Sequence, residues 1–412
     1  MKNAITLSAP LTLVDWILRP PMEPYENPEE AVRYVLTRCK EFGLSRVHWR
    51  TICGSRAMYK SQLVPPVYYE PPREDVPGIV KTPQAQGDRL KRLQRIDCRE
   101  FDSLECAVRI GHELGLEIYA WISINEEQHG THAPGSLSRG FSQENPHYRW
   151  VRRSGYRYTS QVSFAFPEVR EYKLGIIKEH LAYDIDGLFI DWIRTGNNAD
   201  NPQTDAEGYA DYGYETPNLE AFQKLYHCDA RYVPNCDARW VDVRCRPQTQ
   251  FMREVRKISG EKKIITLVQH AYSLRGVLPE VCNDENEQAW VRALKGNTYA
   301  GAKEGLLCDI STWAAEGLMD AVMVAGYYTP GNTPEMALDY LHEMVGDHVE
   351  MQVYSWLPRN VNDPGLNADL QLARSRGIGE VLLWEADYMD APNEEIRKAI
   401  MEEIREKIKQ IG

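Results

Sequence analysis

The chain has 412 residues, of which 43% are hydrophobic and 26% are charged, as is typical of a soluble globular protein. Its formal net charge is −12, and we see no Lys/Arg cluster dense enough to make a basic face. This balance disfavours nucleic acid and anionic membranes as partners.

The N-terminal segment MKNAITLSAPLTLVDW has no continuous apolar stretch, because Pro10 and Asp15 interrupt it. We therefore expect neither a signal peptide nor a membrane anchor. Nine cysteines are scattered along the chain without a compact framework, which favours free thiols in the reducing cytoplasm. A cytoplasmic protein is the resulting expectation.

Short apolar segments predict eight β-strands that alternate with segments of helical spacing. The predicted strands are 11–17, 45–50, 116–124, 186–193, 263–270, 319–328, 350–357 and 379–385. The predicted helices are 28–42, 101–114, 167–182, 217–227 with 247–259, 309–317, 333–345, 366–376 and 393–409. Asn27-Pro28 is one helix start signal, and Gly43, Gly115 and Gly377 are stop signals. The alternation predicts a (β/α)8 TIM barrel; a doubly wound open sheet is the alternative, but its glycine-rich turn is missing.

The connections that follow the strands are much longer than those that precede them. Loop insertions fall at about 51–100, 125–165 and 196–246, whereas the helix-to-strand connections have only a few residues. Long loops at one end of a barrel form a substrate face. We find no repeat or linker, so we interpret residues 1–412 as a single domain.

The fourth predicted strand, in residues 184–195, ends in a carboxylate. Its apolar run Leu188, Phe189 and Ile190 leads directly to Asp191. An acidic side chain at that end of a buried strand is costly to desolvate without a partner or a task. A structural Asp that holds the following loop or pairs with Arg194 is the alternative to a catalytic one.

Five ordered segments resemble the family-10-like glycosidases, relatives of the α-amylase and chitinase barrels. They are Arg50 at the end of strand two and the segments 57–61 (AMYKS), 115–121 (GLEIYAW), 167–172 (PEVREY) and 183–191 (YDIDGLFID). The resemblance covers about residues 10–195 and implies a barrel that hydrolyses glycosidic bonds, with Asp191 as its first catalytic residue.

This chain also departs from the related patterns. Thr51 stands where the family usually has Pro, and Phe189 replaces the middle Asp of the chitinase signature. Ile193 stands where a chitinase has its catalytic Glu. A second carboxylate must therefore come from another strand or from a loop.

Glycosidic bond cleavage requires two carboxyl groups, one of which protonates the leaving oxygen. We predict Glu385, at the end of the eighth strand, as the partner of Asp191; Asp387 lies two residues further on the same face. A barrel-mouth ion pair with Arg50 or Arg19 is the alternative role for Glu385. Strands five to seven offer no carboxylate at this level. Glu126 and Glu127, after strand three, are a further source, although we favour a solvated pair for them.

Aromatic and polar side chains near the strand ends are typical of a sugar-binding groove, because aromatic faces bury the apolar C–H faces of sugar rings. Some of the tryptophans must instead fill the barrel. The predicted substrate-binding residues are Arg50, Tyr59, Trp121, Trp192, Arg194, His270, Tyr328, Trp356, Trp384 and Asp387.

We therefore predict a glycoside hydrolase that acts on an oligo- or polysaccharide without a metal or cofactor. His227, Cys228, Cys236 and Cys245 lack the paired spacing of a zinc site, and the stretch 197–211 lacks ordered calcium-ligand spacing. A carbohydrate-binding barrel without catalysis and a sugar lyase or isomerase on the same fold remain as alternatives. The sequence does not indicate the oligomeric state.

Overall fold

Eight parallel strands close into a barrel ringed by helices. The computed structural model describes residues 5–12, 27–53, 55–67, 97–127, 140–191, 193, 203–268, 301–324, 334–356, 364–384 and 394–411. Around the barrel the strands follow the order β1-β12-β11-β10-β9-β8-β5-β2. Their bounds are β1 Thr6–Leu11, β2 Arg46–Arg50, β5 Glu117–Ser123, β8 Gly187–Asp191, β9 Lys263–Val268, β10 Ala321–Val324, β11 Glu350–Trp356 and β12 Glu380–Trp384. The predicted (β/α)8 TIM barrel is confirmed.

The remaining elements are helices around the barrel and two small hairpins in its loops. The helices are α1 Pro28–Glu41, α2 Ser103–Glu113, α3 Phe141–Glu144, α4 Pro167–Leu181, α5 Thr216–Tyr226, α6 Ala238–Ser259, α7 Ala302–Leu306, α8 Ile310–Ala315, α9 Pro334–Val345, α10 Pro364–Arg376 and α11 Glu394–Ile411. The hairpins pair β3 (Ile52–Cys53) with β4 (Arg56–Ala57), and β6 (Arg149–Val151) with β7 (Arg157–Val162).

Helix ends follow the local sequence signals. The Asn27 side chain accepts from the backbone N–H of Glu29 and caps α1, and Asp102 caps α2 in the same way. Gly43 and Gly115 follow these helices with positive φ angles of 84° and 67°, a backbone conformation that favours glycine. These signals place both helices within two residues of their predicted bounds.

The first strand lies earlier than predicted. β1 spans Thr6–Leu11, whereas the sequence suggested 11–17. Its segment TLSAPL is less apolar than LTLVDWI and contains Pro10. Pairing with β12 ends at Ser8, so the missing N–H of Pro10 falls beyond the last residue of that ladder.

The amino-terminal end of the barrel interior is polar. We call Ser8, Arg46, His48, Gln352 and Glu380 the polar floor. The Glu380 carboxylate accepts hydrogen bonds from the Ser8 hydroxyl at 2.6 Å, from the Gln352 amide at 2.7 Å and from the Arg46 guanidinium. Because this end of a TIM barrel serves stability, we assign the polar floor to folding and not to the reaction.

Glu380 and His48 of the polar floor both have lowered pKa values, for different reasons. Burial alone would raise the pKa of Glu380, but the His48 ring, the Arg46 guanidinium and the Ser8 hydroxyl outweigh it and lower the pKa to about 2. Burial lowers the pKa of His48, although its Nε2 lies 3.7 Å from Oε1 of Glu380. The His48 ring also packs on Phe189 and Tyr119.

A second core lies in the loops after β5 and β8. Trp150, Tyr158 and Tyr212 are buried together, and the Trp150 and Tyr212 ring centroids are 5.1 Å apart. The β6–β7 hairpin is thereby held against the segment 203–215. No helix within the described ranges is long and apolar enough to cross a membrane.

Candidate active site

The carboxyl ends of three neighbouring strands bring Arg50, Trp121 and Asp191 together. Arg50 is in register with Trp121 across β2 and β5, and Asp191 is in register with Ser123 across β5 and β8. All three side chains face the barrel interior and are at most 8% exposed. This is the end of a (β/α)8 barrel at which active sites lie.

The turn before β8 explains why Asp191 arrives at this level. The Asp186 carboxylate accepts a hydrogen bond from the backbone N–H of Ile118 at 2.7 Å and contacts Nε2 of His112 at 2.9 Å. A Cβ on Gly187 would lie 2.4 Å from the Tyr119 ring, so glycine is required for the close approach of β8 to β5. Together these two residues determine the register that puts Asp191 beside Trp121.

Asp191 is a buried carboxylate that accepts a hydrogen bond from an indole. Its Oδ2 atom lies 3.1 Å from Nε1 of Trp121. Its backbone carbonyl accepts from the N–H of Ile124 at 2.9 Å, which holds the loop after β5 against the end of β8. A hydrogen bond from a neutral donor stabilises the ionised carboxylate without adding a positive charge.

Arg50 connects Trp121 to a second buried carboxylate. Its guanidinium carbon lies 4.9 Å from the centroid of the Trp121 ring, and the same guanidinium donates to Oε2 of Glu126. Its Nε donates to the carbonyl of Ile52 at 3.0 Å. Glu126, Arg50, Trp121 and Asp191 thus form a continuous row across three strand ends, which we call the carboxylate row.

The expectation that Glu126 and Glu127 are a solvated pair is wrong. They are only 3% and 4% exposed, and each has a cationic partner. Glu126 pairs with Arg50, and Glu127 pairs with the buried Lys173 and accepts from the Ser55 hydroxyl at 3.2 Å. Consecutive glutamates look solvated in sequence because their partners, Arg50 and Lys173, are distant along the chain.

Trp384, the last residue of β12, borders the carboxylate row. Its ring centroid lies 5.6 Å from that of Trp121 in an edge-to-face arrangement and 5.4 Å from that of Tyr354. The side chain is half-buried. Aromatic surface therefore continues from β5 to β12 and β11 around the same end of the barrel.

Tyr59 occupies a different place from the other predicted residues. It is fully buried outside the barrel, where its hydroxyl donates to Glu179 at 2.8 Å and its ring packs 4.4 Å from that of His180. Both partners lie near the end of α4. These contacts give Tyr59 a packing role, because it fastens the loop after β2 to a helix.

The other predicted site residues lie where their side chains are not described. β11 ends at Trp356, but its side chain is outside the described set. The predictions that fall entirely outside the described residues concern Trp192, Arg194, His270, Tyr328, Glu385 and Asp387.

Sequence reasoning missed Ser123. This serine is 1% exposed and lies opposite Asp191 in the ladder. Its hydroxyl has no hydrogen-bond partner among the described residues, so it can bond to a substrate hydroxyl. The inward alternation of Tyr119, Trp121 and Ser123 is the signal that could have found it.

The described residues do not form a metal centre. Across the ranges that the structure describes, no three His, Cys, Asp or Glu side chains come together as metal ligands would. Of the cysteines weighed for zinc, Cys245 is buried with its thiol near the carbonyl of Lys303, while Cys236 is exposed.

Comparisons with known proteins agree with the barrel. No protein-family model and no curated protein matches this chain. The solved structures that resemble it include β-galactosidase from the psychrophilic Marinomonas ef1, with 11% identity and a TM-score of 0.55 over 98% of this chain and 59% of that one. The catalytic domain of β-amylase from Paenibacillus polymyxa has 10% identity and a TM-score of 0.53 over 98% and 99%. α-L-Fucosidase isoenzyme 2 from Paenibacillus thiaminolyticus has 12% identity and a TM-score of 0.50 over 91% and 46%.

These matches define a structural class. The chain has a TIM-barrel fold that glycoside hydrolases share, and it spans about half the length of the galactosidase and fucosidase chains. At 10–12% identity the likeness shows the fold alone. The function must therefore be argued from the carboxylate row.

Proposed function

We propose that this protein hydrolyses a glycosidic bond in an oligo- or polysaccharide at the carboxyl end of the barrel. The observation that carries the proposal is the buried Asp191 carboxylate, held by the Trp121 indole beside a wall of aromatic rings. The shared fold of the galactosidase, amylase and fucosidase supports the same reaction class.

Asp191 is proposed as the nucleophile or as the stabiliser of the transition state. Glycoside cleavage develops positive charge on the sugar ring, and a nearby ionised carboxylate stabilises that charge. The indole N–H keeps the Asp191 carboxylate oriented. Trp121 and Trp384 offer apolar faces on which a sugar ring can stack.

The general acid/base is proposed to be Glu385, the residue after Trp384. Glu126 pairs with Arg50. It is buried in the carboxylate row with Trp121 and Asp191. For that reason Glu126 is the alternative second carboxylate.

Hydrolysis of a panel of aryl glycosides and natural glycans tests these assignments. We expect Asp191→Asn to abolish turnover while substrate binding persists, whereas Asp184→Asn, at an exposed position before the same strand, retains activity. Removal of a general acid slows substrates with poor leaving groups far more than dinitrophenyl glycosides, which need no proton. The variant that shows this selectivity, Glu385→Gln or Glu126→Gln, identifies the acid. Undiminished sugar release by Asp191→Asn would overturn the catalytic assignment.

A carbohydrate-binding barrel without catalysis is the second candidate. The Arg50–Glu126 pair favours it, because a guanidinium neutralises the other carboxylate of the carboxylate row. Sugar binding to the wild-type chain, together with no turnover of any glycoside in the panel, would select this function over hydrolysis.

A further inference from the structure

The hairpin β6–β7 concentrates positive charge in an acidic protein. Residues 149–158, RWVRRSGYRY, contain four arginines and no acidic residue, while the whole chain has a net charge of −12. We call these residues the arginine hairpin.

Strand β7, which begins at Arg157 of the arginine hairpin, is hydrogen-bonded at its other end to the candidate active site. The Asn125 amide donates to the carbonyl of Val162 at 3.1 Å, and the Val162 N–H lies 3.4 Å from the Asn125 side-chain oxygen. Asn125 immediately precedes Glu126 of the carboxylate row. A polymer that occupies the barrel end can therefore extend along the hairpin.

Two arginines of the hairpin form no ion pair within 4.0 Å of a described carboxylate, although Arg157 lies close enough to act on the buried Glu215. Arg157 is exposed and donates to the backbone carbonyls of His147 and Arg149, at 2.7 and 3.2 Å. The guanidinium of Arg153 lies 5.8 Å from the Tyr214 ring centroid, and its buried Nε atom has no hydrogen-bond partner. These two cations retain the capacity to bind an external anion.

Many other surface arginines of this chain are already paired with acids. The pairs are Arg33–Glu113, Arg99–Asp97, Arg231–Asp229, Arg239–Asp237, Arg246–Asp242, Arg253–Glu316 and Arg376–Asp339. Arg153 and Arg157 stand out against this pattern. Leaving two neighbouring guanidinium groups without counter-charge is unfavourable for folding alone, because like charges repel.

We propose that the arginine hairpin binds the carboxylate groups of an acidic polysaccharide whose chain continues from the active site. This inference rests on the proposed glycosidase function and names its substrate class. The planar guanidinium matches the two oxygens of a carboxylate. Tyr156 is 44% exposed, and the Arg152 guanidinium lies 5.1 Å from its ring centroid, so the hairpin offers both an aromatic face and cations to a sugar acid. The negative charge of the rest of the chain would confine a polyanion to this segment.

Binding measurements on the full chain with Asp191→Asn test the inference without turnover. The probes are oligogalacturonate, alginate oligomers and the methyl ester of the same oligogalacturonate, which keeps the backbone but removes the charge. We expect both acidic oligomers to bind more tightly than the ester by about tenfold or more, with affinity falling as salt rises. Adding Arg153→Gln and Arg157→Gln to the Asp191→Asn chain should abolish its preference for the acidic oligomers over the ester.

The matched control adds Arg246→Gln and Arg253→Gln to the Asp191→Asn chain. These substitutions remove the same amount of positive charge from α6, where both arginines are already in ion pairs. This control should bind the oligomers as the Asp191→Asn chain does. Equal affinity for acid and ester, or equal loss in both double variants, would overturn the inference. Tighter arginine-dependent binding of a short DNA duplex than of either oligomer would also overturn it. If the proposed hydrolase function is wrong, the wild-type chain will show no turnover but will keep these affinities. That outcome is therefore distinguishable from failure of the inference about the arginine hairpin.

Discussion

The indole Nε1 of Trp121 donates a hydrogen bond to Oδ2 of Asp191 across 3.1 Å. The two residues lie on adjacent strands, and Trp121 pairs with Phe189, one inward position below Asp191. The stagger lets the indole edge reach upward to the carboxylate while its face contacts the Arg50 guanidinium. One side chain thus orients the proposed catalytic carboxylate and supports the neighbouring cation.

Replacing Trp121 with Phe keeps an aromatic ring but removes the N–H donor. We expect kcat to fall by about tenfold to a hundredfold with a smaller change in KM, because a hydrogen bond to a charged group contributes about 1.5–3 kcal/mol. The acidic limb of the pH–rate profile should move to higher pH, since the ionised carboxylate loses a donor. The matched control Trp384→Phe leaves the donor to Asp191 in place. An unmoved acidic limb in Trp121→Phe would show that the indole does not act through Asp191.

The polar floor predicts a stability that depends on acid pH. The folded pKa of Glu380 is lowered from 4.5 to about 2, so its stabilising contribution is present above pH 4.5 and is lost as pH falls toward 2. Glu380→Gln should cost about 3–5 kcal/mol near pH 7, because it leaves the buried Arg46 without its main partner.

Urea unfolding at pH 6 and pH 3 measures this effect. The difference in the free energy of unfolding between wild type and Glu380→Gln should shrink at pH 3, because the Glu380 carboxylate is protonated there in the unfolded chain but still ionised in the folded one. Glu316→Gln, which breaks a solvent-exposed pair with Arg253, serves as the control and should cost about 1 kcal/mol or less. A constant difference at both pH values would refute the assignment of this titration to Glu380.

Glu215 predicts a stability that falls as pH rises, the opposite of the pH dependence expected from Glu380. Burial raises its pKa from 4.5 to about 7, against hydrogen bonds from the Val151 N–H at 2.6 Å and the Ser163 hydroxyl at 3.3 Å. The folded chain keeps this proton where the unfolded chain releases it, so stability is lost as pH rises from 4.5 through 7. The total loss is about 3 kcal/mol.

The Glu215→Gln variant cannot titrate, and its amide oxygen can still accept from the Val151 N–H. Its free energy of unfolding relative to wild type should therefore increase between pH 4.5 and pH 8, by up to about 3 kcal/mol. Glu207→Gln, on an exposed turn of the same loop region, should show no such trend. A difference that does not vary with pH would mean that Glu215 is ionised in the folded protein.

The barrel could be predicted from the sequence because its signals are local. Glycine stops such as Gly115, caps such as Asp102 and apolar runs such as that before Asp191 each act within a few residues. β1 was misplaced because Ser8 is polar and Pro10 is disfavoured in the interior of a strand. The structure shows that Ser8 instead donates to Glu380 of the polar floor, a contact between residues 372 positions apart.

The candidate site was predictable only in part, for a related reason. Their positions near the ends of predicted strands pointed to Trp121 and Asp191, and the structure places them in contact. The partner of Arg50 is Glu126, 76 positions away, and no local pattern indicates which carboxylate an inward arginine will meet. Tyr59 matched a family segment, but its position depends on α4, which packs against its loop from outside the barrel.

The buried pair Lys173–Glu127 predicts a strong energetic coupling beneath the carboxylate row. Both side chains are at most 4% exposed, and the Ser55 hydroxyl donates to Glu127 while the Ser55 N–H donates to the carbonyl of Glu126. Lys173→Met should destabilise the fold by about 3–5 kcal/mol, because it leaves a buried carboxylate unpaired. Adding Glu127→Gln should recover most of that loss, since the unpaired charge disappears.

A double-mutant cycle by urea unfolding measures the coupling, which we expect to reach about 3 kcal/mol for the buried pair. The surface pair Arg33–Glu113 provides the matched cycle and should give less than about 1 kcal/mol. Glycoside turnover should fall in Lys173→Met, because Ser55 then no longer holds the Glu126 backbone firmly. Turnover should partly return in the double variant Lys173→Met with Glu127→Gln. Additive stabilities at Lys173 and Glu127 would show that the two side chains do not interact in solution.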